Sequence, residues 1–220
     1  MPAPRQQRAG AVRERILAAA TRQFAQRGFE AASLDDIAGE VGVRKQSLLY
    51  HFASKDELRR GVHQKLLDHW NGLLPRILQA ATSGEEQFDA VVAELVAFFT
   101  ADPDRARLVV REILDRPDEV IALMRTQVRP WVDIVCDYIR KGQAQGLIWS
   151  EVDPEAYVVQ VINLVVASVA THHCIGGLLP ESRRGAVPRR HIDELVRVAR
   201  ASLFKPVELR PARPSRSRTR

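Results

Sequence analysis

The sequence contains little cysteine and few aromatic residues. Its 220 residues include two cysteines, Cys136 and Cys174, and aromatic side chains make up 6% of the chain. Two cysteines are too few for a disulfide framework, and a reduced, cytoplasmic setting is the simpler expectation.

Long apolar runs are also missing. The most apolar stretch, 157–170, is interrupted by Gln160, Asn163 and Ser168 and is too short to span a bilayer. The N-terminal segment is basic but lacks the apolar core of a secretion signal. We therefore expect no membrane partner.

The sequence lacks the motifs of common enzymes and metal sites. It has no glycine-rich phosphate loop, no serine-centred nucleophile elbow and no HExxH, which are the usual signatures of these functions. His172, His173 and Cys174 are consecutive, but successive helical residues point about 100° apart, so they cannot all bind one ion. We predict no catalytic residue, no metal and no cofactor.

Charge is distributed unevenly along the chain. The net charge of +6 divides into +5 for residues 1–65, −4 for 66–203 and +5 for 204–220. A basic head on a mildly acidic body is the pattern of a DNA-contacting module attached to a second domain. Solvated surface charge is the alternative interpretation.

Helical patterns fill the sequence, whereas strand patterns are nearly missing. Val12, Ile16, Ala20 and Phe24 recur at a spacing of four in a stripe that ends at Gly28, as in an amphipathic helix. Together the patterns predict an all-α fold of about nine helices, the later ones over 85–101, 103–115, 118–145, 154–173 and 189–203. The predicted units are a flexible basic arm (1–10), a helix-turn-helix DNA-binding domain (11–53), a helical ligand-sensing and dimerisation domain (54–204) and a disordered basic tail (205–220).

Three predicted helices in the first 55 residues have the arrangement of a helix-turn-helix. Ser33 is a plausible N-cap of the second helix, and Gly42 supplies a turn residue that tolerates positive φ. The third helix, 44–51, packs inward through Leu48 and leaves polar, cationic and aromatic groups outside. A capping box at 54–57 then opens a long fourth helix, which we expect to end at about Leu74, before Pro75.

Residues 24–57 resemble the TetR family of transcriptional repressors. The matching stretch is gap-free and reads Phe24-x-x-x-Gly28-Phe29, Ser33-Leu-Asp-Asp-Ile37-Ala38, Val41-Gly42-Val43 and Ser47-Leu48-Leu49-Tyr50-His51-Phe52-Ala-Ser54-Lys55. A weaker resemblance, at 142–154, matches the link before the family's dimerisation helices. The resemblance implies that helix 44–51 is the recognition helix, lying in the major groove of DNA.

The resemblance and the outward-facing residues together define a candidate DNA-binding set. The resemblance implies phosphate contacts for Ser47 and for Lys55, and Lys55 lies at a helix start that attracts phosphate. The complete set is Ser33, Arg44, Lys45, Gln46, Ser47, Leu49, Tyr50, His51 and Lys55. The family usually has tyrosine directly after the motif leucine, whereas this chain has Leu49 there and tyrosine one place later. Either Tyr50 takes over the phosphate contact, or Leu49 packs against a thymine methyl.

The helix 154–173 is apolar on nearly all sides, so it must be covered on more than one side. Its own core can cover one side, and a partner subunit can cover the other, with the last helix completing an interface across a two-fold axis. The resemblance implies the same two helices for a homodimer, and a fully internal helix of a monomer is the alternative. The predicted interface residues are Val158, Ile162, Val165, Val169, Ile192, Leu195, Val196 and Ala199.

A ligand pocket is expected between the helices of the body. Asn163 is the best candidate for its lining because a polar side chain in an apolar stretch needs a partner, although it could equally bond across the dimer. The candidate ligand-binding residues are Trp70, Phe98, Phe99, Met124, Trp131, Tyr138, Asn163 and His172. Plain core packing is the alternative for each of them.

These features predict a ligand-responsive transcriptional regulator rather than an enzyme. We expect a repressor that binds a palindromic DNA operator as a homodimer and is released by a small apolar or amphipathic effector. A ligand-independent architectural DNA-binding protein is one alternative, and a helical enzyme or carrier is another. A sizeable apolar cavity would favour the sensor, a solid core the architectural protein, and a catalytic dyad in the cavity the enzyme.

Overall fold

A computed structural model gives the fold and describes residues 5–80, 84–178, 187–206 and 208. The helices are α1 (Arg5–Arg27), α2 (Leu34–Val41), α3 (Lys45–His51), α4 (Lys55–Ala80), α5 (Gly84–Thr100), α6 (Pro103–Asp115), α7 (Pro117–Leu123), α8 (Arg129–Ala144), α9 (Pro154–Ala170), α10 (His172–Ile175) and α11 (Val187–Leu203). A π-helical turn, Met124–Val128, joins α7 to α8. Within the described ranges, β pairing is limited to an isolated bridge between Ile148 and Phe204. The all-α prediction is confirmed.

Two helices of the body, α6 and α9, begin where the sequence places an acidic residue before a proline. Asp102 accepts a hydrogen bond from the Asp104 amide at 3.2 Å, and Asp153 accepts one from the Ala156 amide at 2.8 Å. Both residues therefore satisfy amides that the first turn leaves without a partner. Pro103 and Pro154 occupy the first turn itself, where a missing N–H costs nothing.

Several helix boundaries differ from the sequence prediction: the predicted helix 118–145 is divided into α7, the π-helical turn and α8, and the predicted helix 154–173 ends at Ala170. α1 begins at Arg5, so residues 5–10 of the predicted flexible arm are helical, and residues 1–4 lie outside the described part. α4 continues through Pro75 to Ala80, so the prediction that Pro75 ends this helix was wrong. An interior proline removes one helical hydrogen bond and crowds the preceding turn, but the burial of Leu74 beside it favours continuation.

The predicted tail begins as ordered chain. The Lys205 amide donates to the Leu147 carbonyl at 2.9 Å, and the Lys205 ammonium lies 5.7 Å from the centre of the Trp149 ring. This part of the predicted disorder is therefore wrong. Residues 209–220 fall outside the described ranges.

The apolar core of the N-terminal region extends past the predicted domain boundary at residue 53. It combines side chains of α1, α2 and α3 with Leu58 and Val62 of α4 and with Leu108 of α6. The cores behind it are formed by α5, α6, α8, α9 and α11, and Leu66 and Trp70 of α4 pack against them. α4 therefore belongs to the DNA-binding region at its start and to the body farther along.

Candidate DNA-binding surface and ligand cavity

The turn between α2 and α3 has the geometry that a helix-turn-helix requires. The Ser33 hydroxyl caps α2 by accepting a hydrogen bond from the Asp36 amide at 3.0 Å. Gly42 ends α2 with φ 74°, a left-handed conformation in which a Cβ atom would be strained. Together the cap and the glycine fix where α2 starts and where the chain turns into α3.

The exposed face of α3 carries most of the predicted DNA-binding side chains. Leu48 is buried inside the helix-turn-helix. Tyr50 is 85% exposed, although an aromatic ring gains by burial, so it is available to a partner. The other predicted residues of this segment are exposed at Arg44, Lys45, Gln46 and Ser47 and half-buried at Leu49 and His51. The structure thus places them on one accessible helix, and their DNA contacts stay a prediction.

The two cations at the start of α3 differ in their partners. The Lys45 ammonium forms an ion pair with Asp35 of α2 at 2.7 Å. Arg44 is the N-cap residue of α3 and makes no side-chain capping bond. The Lys45 charge is therefore partly neutralised before any DNA arrives, whereas Arg44 presents its charge beside it.

Lys55 lies at the start of α4 and packs against the turn that follows α1. Its ammonium donates to the Glu30 carbonyl at 3.1 Å and lies 4.5 Å from the centre of the Phe29 ring. The predicted capping box is confirmed: the Glu57 amide donates to the Ser54 hydroxyl at 3.0 Å, and the Glu57 carboxylate accepts from the Ala53 amide at 2.8 Å. A phosphate contact by Lys55 would require its side chain to leave these partners.

The body contains a cavity of about 1550 Å³. Helices α4 to α9 contribute its walls, which are mainly aliphatic and aromatic. Seven of the predicted ligand-binding residues line it: Trp70, Phe98, Phe99, Met124, Trp131, Tyr138 and Asn163. The eighth, His172, is not part of the lining, and its Nδ1 atom lies 2.8 Å from the Val169 carbonyl oxygen. That a ligand touches these residues stays a prediction.

Aromatic rings from α4 and α5 form one wall of this cavity. Trp70 and Phe98 pack edge to face with their centres 5.4 Å apart, and Phe98 packs against Phe99 at 5.0 Å. A hydrogen bond links α8 to α4 near this wall, because the indole N–H of Trp131 donates to the Asn71 side chain at 3.0 Å. This wall is apolar in composition and fixed in position by its own contacts.

A buried ionic cluster lies where the cavity approaches the DNA-binding region. Arg59 of α4 donates to Glu112 of α6 through Nε at 2.9 Å and through Nη2 at 2.7 Å. It also donates to Glu119 of α7 at 2.7 Å. Burial alone would raise the pKa of Glu112, but the neighbouring His63 and Arg59 outweigh burial and lower that pKa to about 2. Glu112 is therefore ionised, and the cluster ties α4 to α6 and α7.

The ring of Phe29 connects this cluster to Lys55. The Arg59 and Arg116 guanidinium groups lie 5.4 and 4.5 Å from the ring centre, close enough for cation–π attraction. Arg116 also forms an ion pair with Glu30 at 2.7 Å. A continuous series of side-chain contacts therefore leads from the cavity to Lys55, the residue predicted to contact phosphate.

The predicted interface side chains lie mostly inside the chain's own core. Val158, Val165, Val169, Leu195 and Ala199 are buried, and Ile162, Ile192 and Val196 pack against the same cores while partly buried. A side chain already buried in its own subunit cannot be covered again by a partner, so assigning these five to an interface was wrong. Among the described side chains of α9 and α11, the large apolar ones that are exposed are Val159, Leu164 and Val198, at 48%, 43% and 46%.

Sequence reasoning missed Arg59 and Glu112, and one sequence offers little signal that could have found them. The two residues are 53 positions apart, and each has the charge that is usual on an exposed helix face. His63 and the exposed positions Val159, Leu164 and Val198 were missed because an all-round apolar or mixed helix does not show which side is covered.

Two further searches concern metals and membranes. Among the described residues, no group of three or more histidine, cysteine, aspartate or glutamate side chains is placed to hold a metal ion. Within the same ranges, every helix is too short or too polar to cross a membrane.

Comparison with known proteins gives matches along most of the chain. Residues 16–62 match the model of "Bacterial regulatory proteins, tetR family", and residues 85–197 match "Tetracyclin repressor-like, C-terminal domain". The transcriptional activator FasR of Mycolicibacterium smegmatis is 29% identical over 164 residues, which is 70% of this chain and 73% of FasR. The transcriptional repressor KstR2 of the same organism is 30% identical over 148 residues, or 64% of this chain and 69% of KstR2.

A solved structure shows the same fold. The ketosteroid transcriptional regulator KstR2 of Mycobacterium tuberculosis superposes with a TM-score of 0.70 at 16% identity, covering 88% of this chain and 95% of that one. The family models place the helix-turn-helix and the body in the two parts of one known architecture. The chain belongs to the TetR family and is a DNA-binding transcriptional regulator.

Proposed function

We propose that the chain is a repressor that binds a palindromic operator as a homodimer and is released by a small apolar or amphipathic effector. In this proposal residues 11–53 contact DNA and residues 54–204 bind the effector and the partner subunit. The observation that carries it is the apolar cavity beside α4, because the start of α4 packs in the core of the helix-turn-helix. Any ligand that fills the cavity acts on a helix shared with the DNA-binding region.

Whether the protein represses or activates transcription is a separate part of this proposal. KstR2 of M. smegmatis is named a repressor and FasR an activator. A repressor requires only that DNA binding block transcription, whereas an activator needs a further surface for the transcription machinery. We infer that the protein acts in the cytoplasm, where bacterial DNA lies.

The homodimer would use α9 and α11 through a different face from the one predicted. Val159 and Leu164 of α9 and Val198 of α11 are the large apolar residues that these helices leave exposed. Covering such side chains with the same face of a second copy gives a two-fold interface. Two copies so joined present two α3 helices to successive major grooves, about 34–36 Å apart.

Selection of bound DNA from a random pool tests the operator. We expect a palindrome whose half-sites are centred about one helical turn of DNA apart, or a multiple of it. Binding without sequence preference would favour the architectural alternative instead.

Charged substitutions test the dimer. Val159→Asp with Leu164→Asp should give a monomer in light scattering and should weaken binding to the selected palindrome more than to a single half-site. Leu114→Asp is the matched control, because Leu114 of α6 is 73% exposed and lies off α9 and α11. An unchanged dimer in the double variant would rule out this interface.

The enzyme alternative finds no support in the cavity's described lining. That lining includes no serine, threonine or cysteine side chain that could act as a nucleophile. His63 and Glu112 are neighbours in it, but the Glu112 carboxylate is bonded to Arg59.

A further inference from the structure

At the end of the cavity nearest the DNA-binding region, the polar lining residues are His63 and Glu112. Along α4 the lining residues are His63, Leu66, Leu67, Trp70 and Leu74, so His63 is the one nearest the start of that helix. On α6, Glu112 follows Leu108 and Val109 in the lining. The rest of these two walls is apolar except for the indole N–H of Trp70. A ligand that extends toward the DNA-binding region therefore meets an imidazole and a carboxylate.

The ring nitrogen of His63 that faces Glu112 lies at this end of the cavity. This atom, Nε2, is buried and has no hydrogen-bond partner among the described residues. It lies 3.3 Å from Glu112 Oε2, near enough for attraction but without hydrogen-bond geometry. A buried nitrogen without a partner is uncommon in folded proteins, and here it borders a cavity large enough for a ligand.

The charges around this end define the ligand group that fits. Glu112 is ionised, and Arg59 is bonded to it. A ligand carboxylate would be repelled by Glu112, and a ligand ammonium would be repelled by Arg59. An uncharged hydroxyl can donate to a Glu112 oxygen and exchange a second hydrogen bond with His63 Nε2.

We propose that His63 and Glu112 bind the hydroxyl end of an otherwise apolar effector, and that this bond weakens the hold of Glu112 on Arg59. The inference rests on the proposed function, because it assigns the chemistry and the regulatory link of the same cavity. Arg59 lies one helical turn after Lys55 on α4 and packs on the same Phe29 ring. Loosening Arg59 therefore alters the support of the residue that we expect to hold DNA phosphate.

Three probes of matched length separate the possible polar ends. Decanol donates a hydrogen bond, nonyl methyl ether has the same number of heavy atoms but can only accept, and decanoate is anionic at neutral pH. Binding can be followed by tryptophan fluorescence, because Trp70 and Trp131 line the cavity. We expect the full chain to bind decanol about tenfold more tightly than the ether or decanoate.

Two histidine variants assign that preference. His63→Leu replaces the imidazole by an apolar side chain of similar size. It should bring the decanol-to-ether ratio of dissociation constants to about one. His69→Leu is the matched control, since His69 is also on α4, also faces a glutamate, Glu94, at 3.1 Å, and is not part of the lining. It should keep the preference. Equal binding of decanol and ether by the unmodified chain, or an unchanged ratio in His63→Leu, would overturn the polar end.

The regulatory link is tested with the selected palindromic duplex. Saturating decanol should lower the duplex affinity of the unmodified chain about tenfold and that of His63→Leu much less; by linkage the duplex should weaken decanol binding by the same factor. His63-dependent binding of decanol with no loss of duplex affinity would overturn the link while leaving the polar end standing. If none of the three probes binds, the polar end is overturned, whereas the proposed function is tested separately by the selection of a palindromic duplex.

Discussion

The DNA-binding region and the body differ in how completely their cores are filled. In the first region Ile16, Leu17, Ile37 and Leu48 are buried almost without exposed surface. In the body, Leu66, Leu95 and Val109 are only partly buried because they face a cavity of about 1550 Å³. A filled core has one arrangement, whereas a core with a cavity can rearrange around a ligand. The filled core therefore supports the surface that is expected to contact DNA, and the body with its cavity is the region that can change its packing around a ligand.

Breaking the ionic cluster between the two regions should have the largest effect on stability. Glu112→Leu leaves Arg59 buried with only Glu119 as partner, and loss of one member of a buried pair costs about 3 kcal/mol or more. The free energy of unfolding in urea should fall by that amount. The double variant Arg59→Met with Glu112→Leu should recover most of it, because both charges are then gone. A double variant no more stable than the single one would contradict this account.

Matched leucine truncations should sharpen the contrast between the two cores. Leu48→Ala empties a closed site in the DNA-binding region and should lower the free energy of unfolding by about 3 kcal/mol. Leu95→Ala, on the cavity wall of α5, should cost only about 1 kcal/mol, since its side chain is only partly removed from water. Equal losses of unfolding free energy in urea denaturation would show that the cavity wall is packed as tightly as the core of the DNA-binding region.

Acid should weaken the cluster before it affects the filled core. The pKa of Glu112 in the folded chain is lowered from 4.5 to about 2, so its stabilising contribution is complete above pH 4.5 and is lost as the pH falls toward 2. The difference in unfolding free energy between the unmodified chain and Glu112→Gln should shrink over that range. A difference that stays constant down to pH 2.5 would argue that Glu112 does not titrate there.

The smallest expected effect concerns a single phosphate contact at the start of α4. Lys55→Ala should weaken specific and non-specific DNA binding alike and lower the salt dependence by about one unit. Lys65→Ala is the control, because Lys65 lies farther along α4 and pairs with Glu14. A change in base preference for Lys55→Ala would mean that this lysine reads sequence rather than holding phosphate.

Local features were predictable from the sequence, and long-range ones were not. The caps at Ser33 and Asp153 and the turn at Gly42 depend on a few consecutive residues, so their residue types predict the geometry. The covered side of α9 was not predictable, because valines on all sides give no periodicity that separates Val158 from Val159. The pairing of Arg59 with Glu112 depends on how α4 and α6 pack, and neither helix encodes the other's position.

Because α4 runs from the helix-turn-helix core to the cavity wall as one helix, it acts as a lever. Its 26 residues span about 39 Å at the helical rise of about 1.5 Å per residue. A tilt of about 5° around its Ala80 end displaces the Lys55 end by roughly 3 Å, which is close to the axial rise of about 3.4 Å per base pair of DNA. A small tilt of α4 at the cavity can thus move the DNA-binding end of the helix by about the rise of one base pair.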